Sequence, residues 1–433
     1  MPFTLDRRQF HASAVAAAFA GLSASGCYGR TAPGPGVGYG PLVPDPAGLV
    51  DLPKGFTYRV ISSLGDRMDD GEPVPNRADG MGAFAGRDGR VILVRNHEME
   101  AAETALTGTG YDRWQGVGVL PGGTTTIIYD PASGRVEQQY RSLAGTIRNC
   151  AGGITPWRTW LTCEETVARA GGNLGKDHGY VFEVPADLRG RAGAQPLTAL
   201  GRFYHEAAAV DPRTGVVYMT EDRENGLFYR FLPDSRGNLA AGGRLQALAL
   251  VDGRRSARNW TRRDFPVGAS ARVRWVDLRG TDSPGDDLRQ QGMEAGACVF
   301  ARGEGIHMGR GELYFTCTSG GAAKLGQVMR YRPGRTQEGG TLTLFFESTS
   351  PDQFYYGDNL TIAANGHLFV CEDQPTKPVD NYIRVIAPNG AAYPFARLRL
   401  QTEWAGACFA PDGRTFFVNA YSPSKTFAIT GPF

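Results

Sequence analysis

The chain has 433 residues, 59 of them glycine and 27 proline, and a formal charge of +2. That near-neutral balance gives no electrostatic basis for nucleic-acid binding, and past the N-terminus no apolar run is long enough for a transmembrane helix. The length would allow more than one domain, but all-β folds run this long as one, and so much glycine and proline suits many tight turns.

At the N-terminus, Arg7-Arg8-Gln9-Phe10 is a twin arginine followed by an aromatic, and a small-residue apolar stretch spans 12–22. Residues 1–27 read as a signal segment that resembles a Tat signal, which implies an exported, periplasmic or cell-surface protein. The competing reading is a Sec signal with two arginines, but the core is Ala-rich and weakly apolar. Ser25-Gly26-Cys27 resembles the end of a lipoprotein signal, although Ala24 stands where a larger aliphatic is usual. A lipid anchor at Cys27 and simple cleavage both stay open. Residues 28–50, rich in Gly and Pro, are expected to be a tether, leaving 51–433 as a single domain.

One unit then recurs six times. Its first strand opens on a polar residue beside small ones: Asp79-Gly80, Cys150-Ala151, Glu206-Ala207, Glu304-Gly305, Asn359-Leu360 and Glu403-Trp404-Ala405. Its second ends in polar residues: Asn96-His97-Glu98, Cys163-Glu164-Glu165, Glu221-Asp222, Cys317-Thr318-Ser319, Cys371-Glu372-Asp373 and Asn419-Ala420-Tyr421. A third, alternating run stops near Pro131, Pro185, Pro233, Pro333, Pro388 and Pro432. Weaker fourth strands are expected at 136–140, 197–203, 245–251, 341–346 and 392–398, and the sixth unit has no room for one. The pattern predicts an all-β fold, a six-bladed β-propeller, closed by the unassigned N-terminal strand 56–61 pairing with 426–430. The arginine-rich insertion 252–292 is expected to be a surface excursion over one end of the disc, with 99–121 a second.

Six cysteines follow Cys27, an even number that would permit disulfides in an exported protein. Most sit in apolar strand patterns, where a buried thiol acts as a small hydrophobe. Cys150 differs, because Asn149 and Ala151-Gly152-Gly153 flank it and let something approach its sulfur.

The acids Glu98, Glu164, Glu165, Glu206, Glu304, Glu372, Asp373 and Glu403 fall near strand ends. Any one of them is most simply a solvated loop acid. Their recurrence places several near one axis, where like charges need cations. Hard oxygen donors without clustered histidine point to calcium, magnesium, manganese or ferric iron, and a cysteine in the ring favours a transition metal. Arg302, two residues before Glu304, would clamp a phosphate or brace a ring acid. His97 and His205 read as hydrogen-bonders behind the site, and Arg148 and Lys176 as weaker anion contacts. The turn 318–321 shows no His–Asp relay that would activate a hydroxyl there.

These residues resemble the PhoX-type alkaline phosphatases of bacteria over about 50–425. The most specific element runs from Arg148-Asn149-Cys150 through Cys163-Glu164-Glu165. Asn96-His97-Glu98, His205-Glu206, the run from Phe300 through Arg302 and Glu304 to Gly305, Asp358-Asn359 and the stretch from Glu403 to Asn419 add to it. The resemblance implies a six-bladed propeller phosphatase acting on small phosphomonoesters, with two ferric ions, two or three calcium ions and an oxo bridge. Carried over by motif, Cys150 is the iron thiolate, and Glu165, Glu206 and Glu304 are metal ligands. Arg302 holds phosphate, Glu304 also acts at the reacting centre, and Asn96 contacts substrate or calcium. Glu403 and Asp358 map less firmly as metal ligands. A monomer is expected. The chain is shorter than large members of that family, with reduced insertions, so substrate choice does not carry over. Two rivals remain: a calcium-dependent propeller lactonase or phosphotriesterase, which would need no iron and no Cys150, and a non-catalytic calcium-stabilised binding propeller.

Overall fold

The structure, a computed structural model, describes residues 38–103, 105–335 and 338–433. The expected signal segment 1–27 and Cys27 lie outside the described residues. Among the described residues no helix is long and apolar enough to cross a membrane.

The fold is all-β and propeller-like. Six short strands, Ala78–Ala85, Asn149–Ile154, His205–Val210, Gly303–Met308, Gly357–Ile362 and Trp404–Phe409, each pack against the next, and the last packs against the first. Each pairs antiparallel with the strand that follows it: Val91–His97, Thr159–Glu164, Val217–Glu221, Leu313–Cys317, Leu368–Glu372 and Thr415–Ala420. These second strands are buried along their whole length. That is why their sequences run apolar without alternation. The third strands close on the prolines, which cannot donate to a further ladder.

Fourth strands form at Arg135–Thr146, Gly243–Leu250, Gly340–Glu347 and Ala392–Leu398. The chain's N-terminal side supplies Thr57–Ser63, which pairs with Lys425–Thr430 from Thr57 opposite Thr430 to Ser63 opposite Lys425.

Three expectations need correction. Among the described residues no fourth strand forms at 197–203: Pro196 makes an isolated bridge to Phe182 but cannot donate to extend it, and Thr198–Leu200 coils into a 3-10 turn. The insertion 252–292 is more than an excursion, because Ser270–Asp277 pairs with both Gly243–Leu250 and Gly340–Glu347 and merges two units into one nine-stranded sheet. Its residues alternate, with Ala271 and Val273 buried and Arg272 and Arg274 exposed, so it pairs like any half-buried strand. The tether expected over 28–50 is folded from Gly38 onward. Val50 pairs with Leu398, and the Tyr39 ring stands edge-on to Phe56, Phe395 and Phe433. Gly and Pro there mark turns between anchored residues.

Candidate metal centre

In all six first strands the ladder slips by a bulge near its start: between Ala78 and Met81, Asn149 and Gly152, His205 and Ala208, Gly303 and Ile306, Gly357 and Leu360, and Ala405 and Cys408. A bulge bends the strand and re-aims a side chain. In five of the strands the residue at the slip is Asp79, Cys150, Glu206, Glu304 or Asp358. In the sixth the slip falls on Gly406 and Ala407, and Glu403 stands one residue before the strand. After the bulges, glycines let backbones converge: a Cβ on Gly80 would lie 2.5 Å from Ala151 Cα, and one on Gly305 2.6 Å from Asn359 Cα.

The side chains so aimed form overlapping groups. Asp79, Glu98 and Cys150 make one; Cys150, Glu165 and Glu206 the next; then Glu206, Glu304 and Asp358; then Asp358, Asp373 and Glu403. Within each group the donor atoms all lie within 4.8 Å of one another. All six residues expected as metal ligands, Cys150, Glu165, Glu206, Glu304, Asp358 and Glu403, are therefore together. Asp79 and the acids Glu98 and Asp373 join them. Cys150 Sγ stands 3.1 Å from Glu206 Oε1 and 3.6 Å from Asp79 Oδ2. Burial and the carboxylates of Asp79, Glu206, Glu98 and Glu165 push its thiol pKa well up in the bare protein. A cation among these acids reverses that balance and favours thiolate. Beyond the bulges the first strands line a cavity of about 360 Å³, with no Asp, Glu, Lys or Arg among its described lining residues.

In the acid pairs Glu164-Glu165 and Glu372-Asp373, the first member braces the protein and the second faces the group. Glu164 accepts from Ile147, Gly179 and Tyr180 backbone N–H groups and meets His178 Nδ1 at 2.6 Å. Glu372 accepts from Tyr355 and Tyr382 N–H, Gln374 and Arg384. Burial raises its pKa, opposed chiefly by Arg384. These two acids are structural, which separates Glu164 and Glu372 from Glu165 and Asp373.

Asn96 lies against the strand that carries Cys150. Its amide donates to Cys150 O at 3.1 Å and Ala151 O at 2.8 Å, and its carbonyl accepts Trp160 Nε1 at 2.8 Å. It is fully buried, and those bonds hold the strand carrying Cys150. The device recurs at the matching place: Thr220 donates to Glu304 O, Thr316 to Asp358 O and Asn419 to Asp79 O. Each of these side chains fixes the backbone carbonyl of a residue in the acid ring.

Arg302 has a φ of 56° and precedes its strand, so simple alternation does not aim it. Its Nε and Nη2 meet Asp222 at 2.8 and 3.1 Å, and Nη2 meets Glu304 Oε1 at 2.7 Å. Arg148, with φ 48°, occupies the matching position and joins Glu98, Glu100 and Glu165. Lys176 lies over the Tyr111 ring. The histidines are not among the grouped donors. His97 bonds Asn76 O and Thr125, with its pKa driven well down by burial. His205 bonds Gly201 O, with its pKa pushed to about 3 by burial. The six cysteines are free thiols. The sequence alone assigns no role to Asp79 or Tyr421, although Asp79 stands at the offset of Cys150 in its own unit.

Comparison with known proteins follows the same lines. The family model described as Alkaline phosphatase PhoX matches residues 37–128 and 112–424. Among solved structures, Pseudomonas fluorescens PhoX in complex with vanadate, a transition state analogue, is 19% identical, with a TM-score of 0.68 over 89% of this chain and 96% of that one. A Xanthomonas campestris gluconolactonase is 13% identical over 91% and 98%, with a TM-score of 0.43. No curated protein matches.

Proposed function

The chain belongs to the alkaline phosphatase PhoX family and is a phosphoric monoester hydrolase, and from that premise we propose that it is an exported, metal-dependent phosphatase of small phosphomonoesters. The observation that carries the metal reading is the run of overlapping acid groups at the bulges, with one thiol among them. So many buried carboxylates need cations. Oxygen donors suit calcium and ferric iron, and the sulfur suits iron. Cys150, Glu165, Glu206 and Glu304 would hold iron; Asp358, Asp373 and Glu403, without sulfur, would hold calcium; Asp79 and Glu98 border the thiol.

Bound ions would supply charge neutralisation and polarisation of the phosphoryl group. Arg302 would grip that group's oxygens. Asp222 fixes the guanidinium plane through two contacts, so the arginine is oriented before substrate arrives. The vanadate complex of the Pseudomonas relative supports a site shaped for a phosphoryl transition state.

The finer architecture belongs to this reading: six blades around the six mutually packed first strands, closed by Thr57–Ser63. So do export through residues 1–27, a lipid anchor at Cys27 as an open alternative, a domain over 51–433 extended to Gly38, and a monomer. Assay of an aryl phosphate and of gluconolactone with protein purified without chelators tests the activity. Turnover of the ester alone is expected, and turnover of the lactone alone would overturn it.

A further inference from the structure

A second arginine, Arg223, is tied to Arg302 through the backbone. Arg223 directly follows Asp222, whose carboxylate orients Arg302, and the Arg302 N–H donates to Arg223 O at 2.8 Å. The Arg223 guanidinium lies 3.5 Å from the centre of the Tyr204 ring. Tyr204 precedes Glu206 by two residues, as Arg302 precedes Glu304. Its backbone carbonyl accepts from Asp222 N–H at 3.3 Å. The stacked pair is thus joined through the backbone to both Asp222 and Arg302.

Arg223 is held differently from Arg302. Its ion pair is with Asp286 at 3.5 Å, its side chain is 34% exposed, and its buried Nε has no hydrogen-bond partner among the described residues. Stacking on a tyrosine fixes the guanidinium plane while leaving N–H donors for a ligand. The surroundings add positive charge. Arg258 donates to Glu224 O on the same loop, and Lys324 and Arg258 both lie against the Trp260 ring. The acids there include Asp222, which Arg302 engages, with Glu224 and Asp286.

We propose that Arg223 is a specificity determinant that binds a second anionic group, a carboxylate or a further phosphate, on the leaving group of the ester. This rests on the phosphatase reading. The phosphoryl group sits at Arg302 and the ring, and the leaving group projects past Tyr204 towards Arg223. In hydrolysis the bond from phosphorus to the leaving oxygen breaks, and water supplies hydroxyl to phosphorus and a proton to the alcohol.

The test uses the metal-loaded protein with 2-phosphoglycerate and glycerol 2-phosphate, which differ in one carboxylate. Wild type is expected to favour 2-phosphoglycerate roughly tenfold or more in kcat/KM, mainly through KM, as one charge-assisted contact allows. Arg223→Gln should bring that ratio towards one, and Arg223→Lys should keep part of it. A wild-type ratio near one, or a ratio unmoved in Arg223→Gln, overturns the role of Arg223 while the phosphatase reading stands. Hydrolysis of neither ester by wild type sinks both.

Discussion

Tyr421 donates a 2.5 Å hydrogen bond from its hydroxyl to Glu98 Oε2, tying the last unit of the chain to an acid of the first. Trp404 pairs with Ala420 as Ala78 pairs with His97, so Tyr421 stands where Glu98, Glu165, Asp222 and Asp373 stand in other units. There the chain uses a donor instead of another carboxylate. Burial, and then Glu98 and Glu403, push the phenol pKa well up, so it stays protonated and keeps donating.

Tyr421→Phe removes that donor and almost nothing else. Losing a bond to a buried charged acceptor should cost about 1–3 kcal/mol in the metal-free protein. Metal affinity should weaken by roughly ten- to a hundredfold, as for other groups that orient a ligand. Thermal melts and metal titration check both. Unchanged affinity would make the bond a structural tie alone.

Arg302→Ala should lower turnover of an aryl phosphate by roughly two to three orders of magnitude, or about 2–4 kcal/mol. Metal content should stay near wild type, because Glu304 keeps its place through Thr220 on its carbonyl. Loss of metal in the variant would show that Arg302 serves Glu304 and not the substrate.

His178 makes stability depend on pH. It is buried, 2.6 Å from Glu164 and 3.2 Å from Asp112. Burial opposes its charge, but those carboxylates outweigh burial and raise its pKa from 6.5 to about 9. Because the folded value lies above the unfolded one, the stabilisation is fully present below about pH 6.5 and is lost as pH rises through about 9. Denaturant unfolding should therefore show wild type losing on the order of 3 kcal/mol relative to His178→Gln across that window. Parallel pH profiles would contradict it.

The recurrence of Asp79, Cys150, Glu206 and Glu304 at one offset made the acid ring legible, because repeat position alone brings such residues to an axis. Two things were not legible. Adjacent acids such as Glu164 and Glu165 are alike in sequence, and only the turn that follows decides which one the backbone N–H groups capture. Asn96 reads as a polar strand end like any other, yet its direction depends on how the neighbouring unit packs, a contact that no local pattern encodes. Ser270–Asp277 carried a plain alternating signal that its charged surroundings obscured.

We propose that the ring around Cys150 holds iron and calcium together. Elemental analysis of wild type and Cys150→Ser, both purified without chelators, tests it most directly. Wild type should carry both metals and, as for a thiolate on ferric iron, a visible absorption band. Cys150→Ser should lose iron and the band while keeping calcium and a folded circular dichroism spectrum. Iron-free wild type with full phosphatase activity, or a serine variant that keeps its iron, would contradict the account.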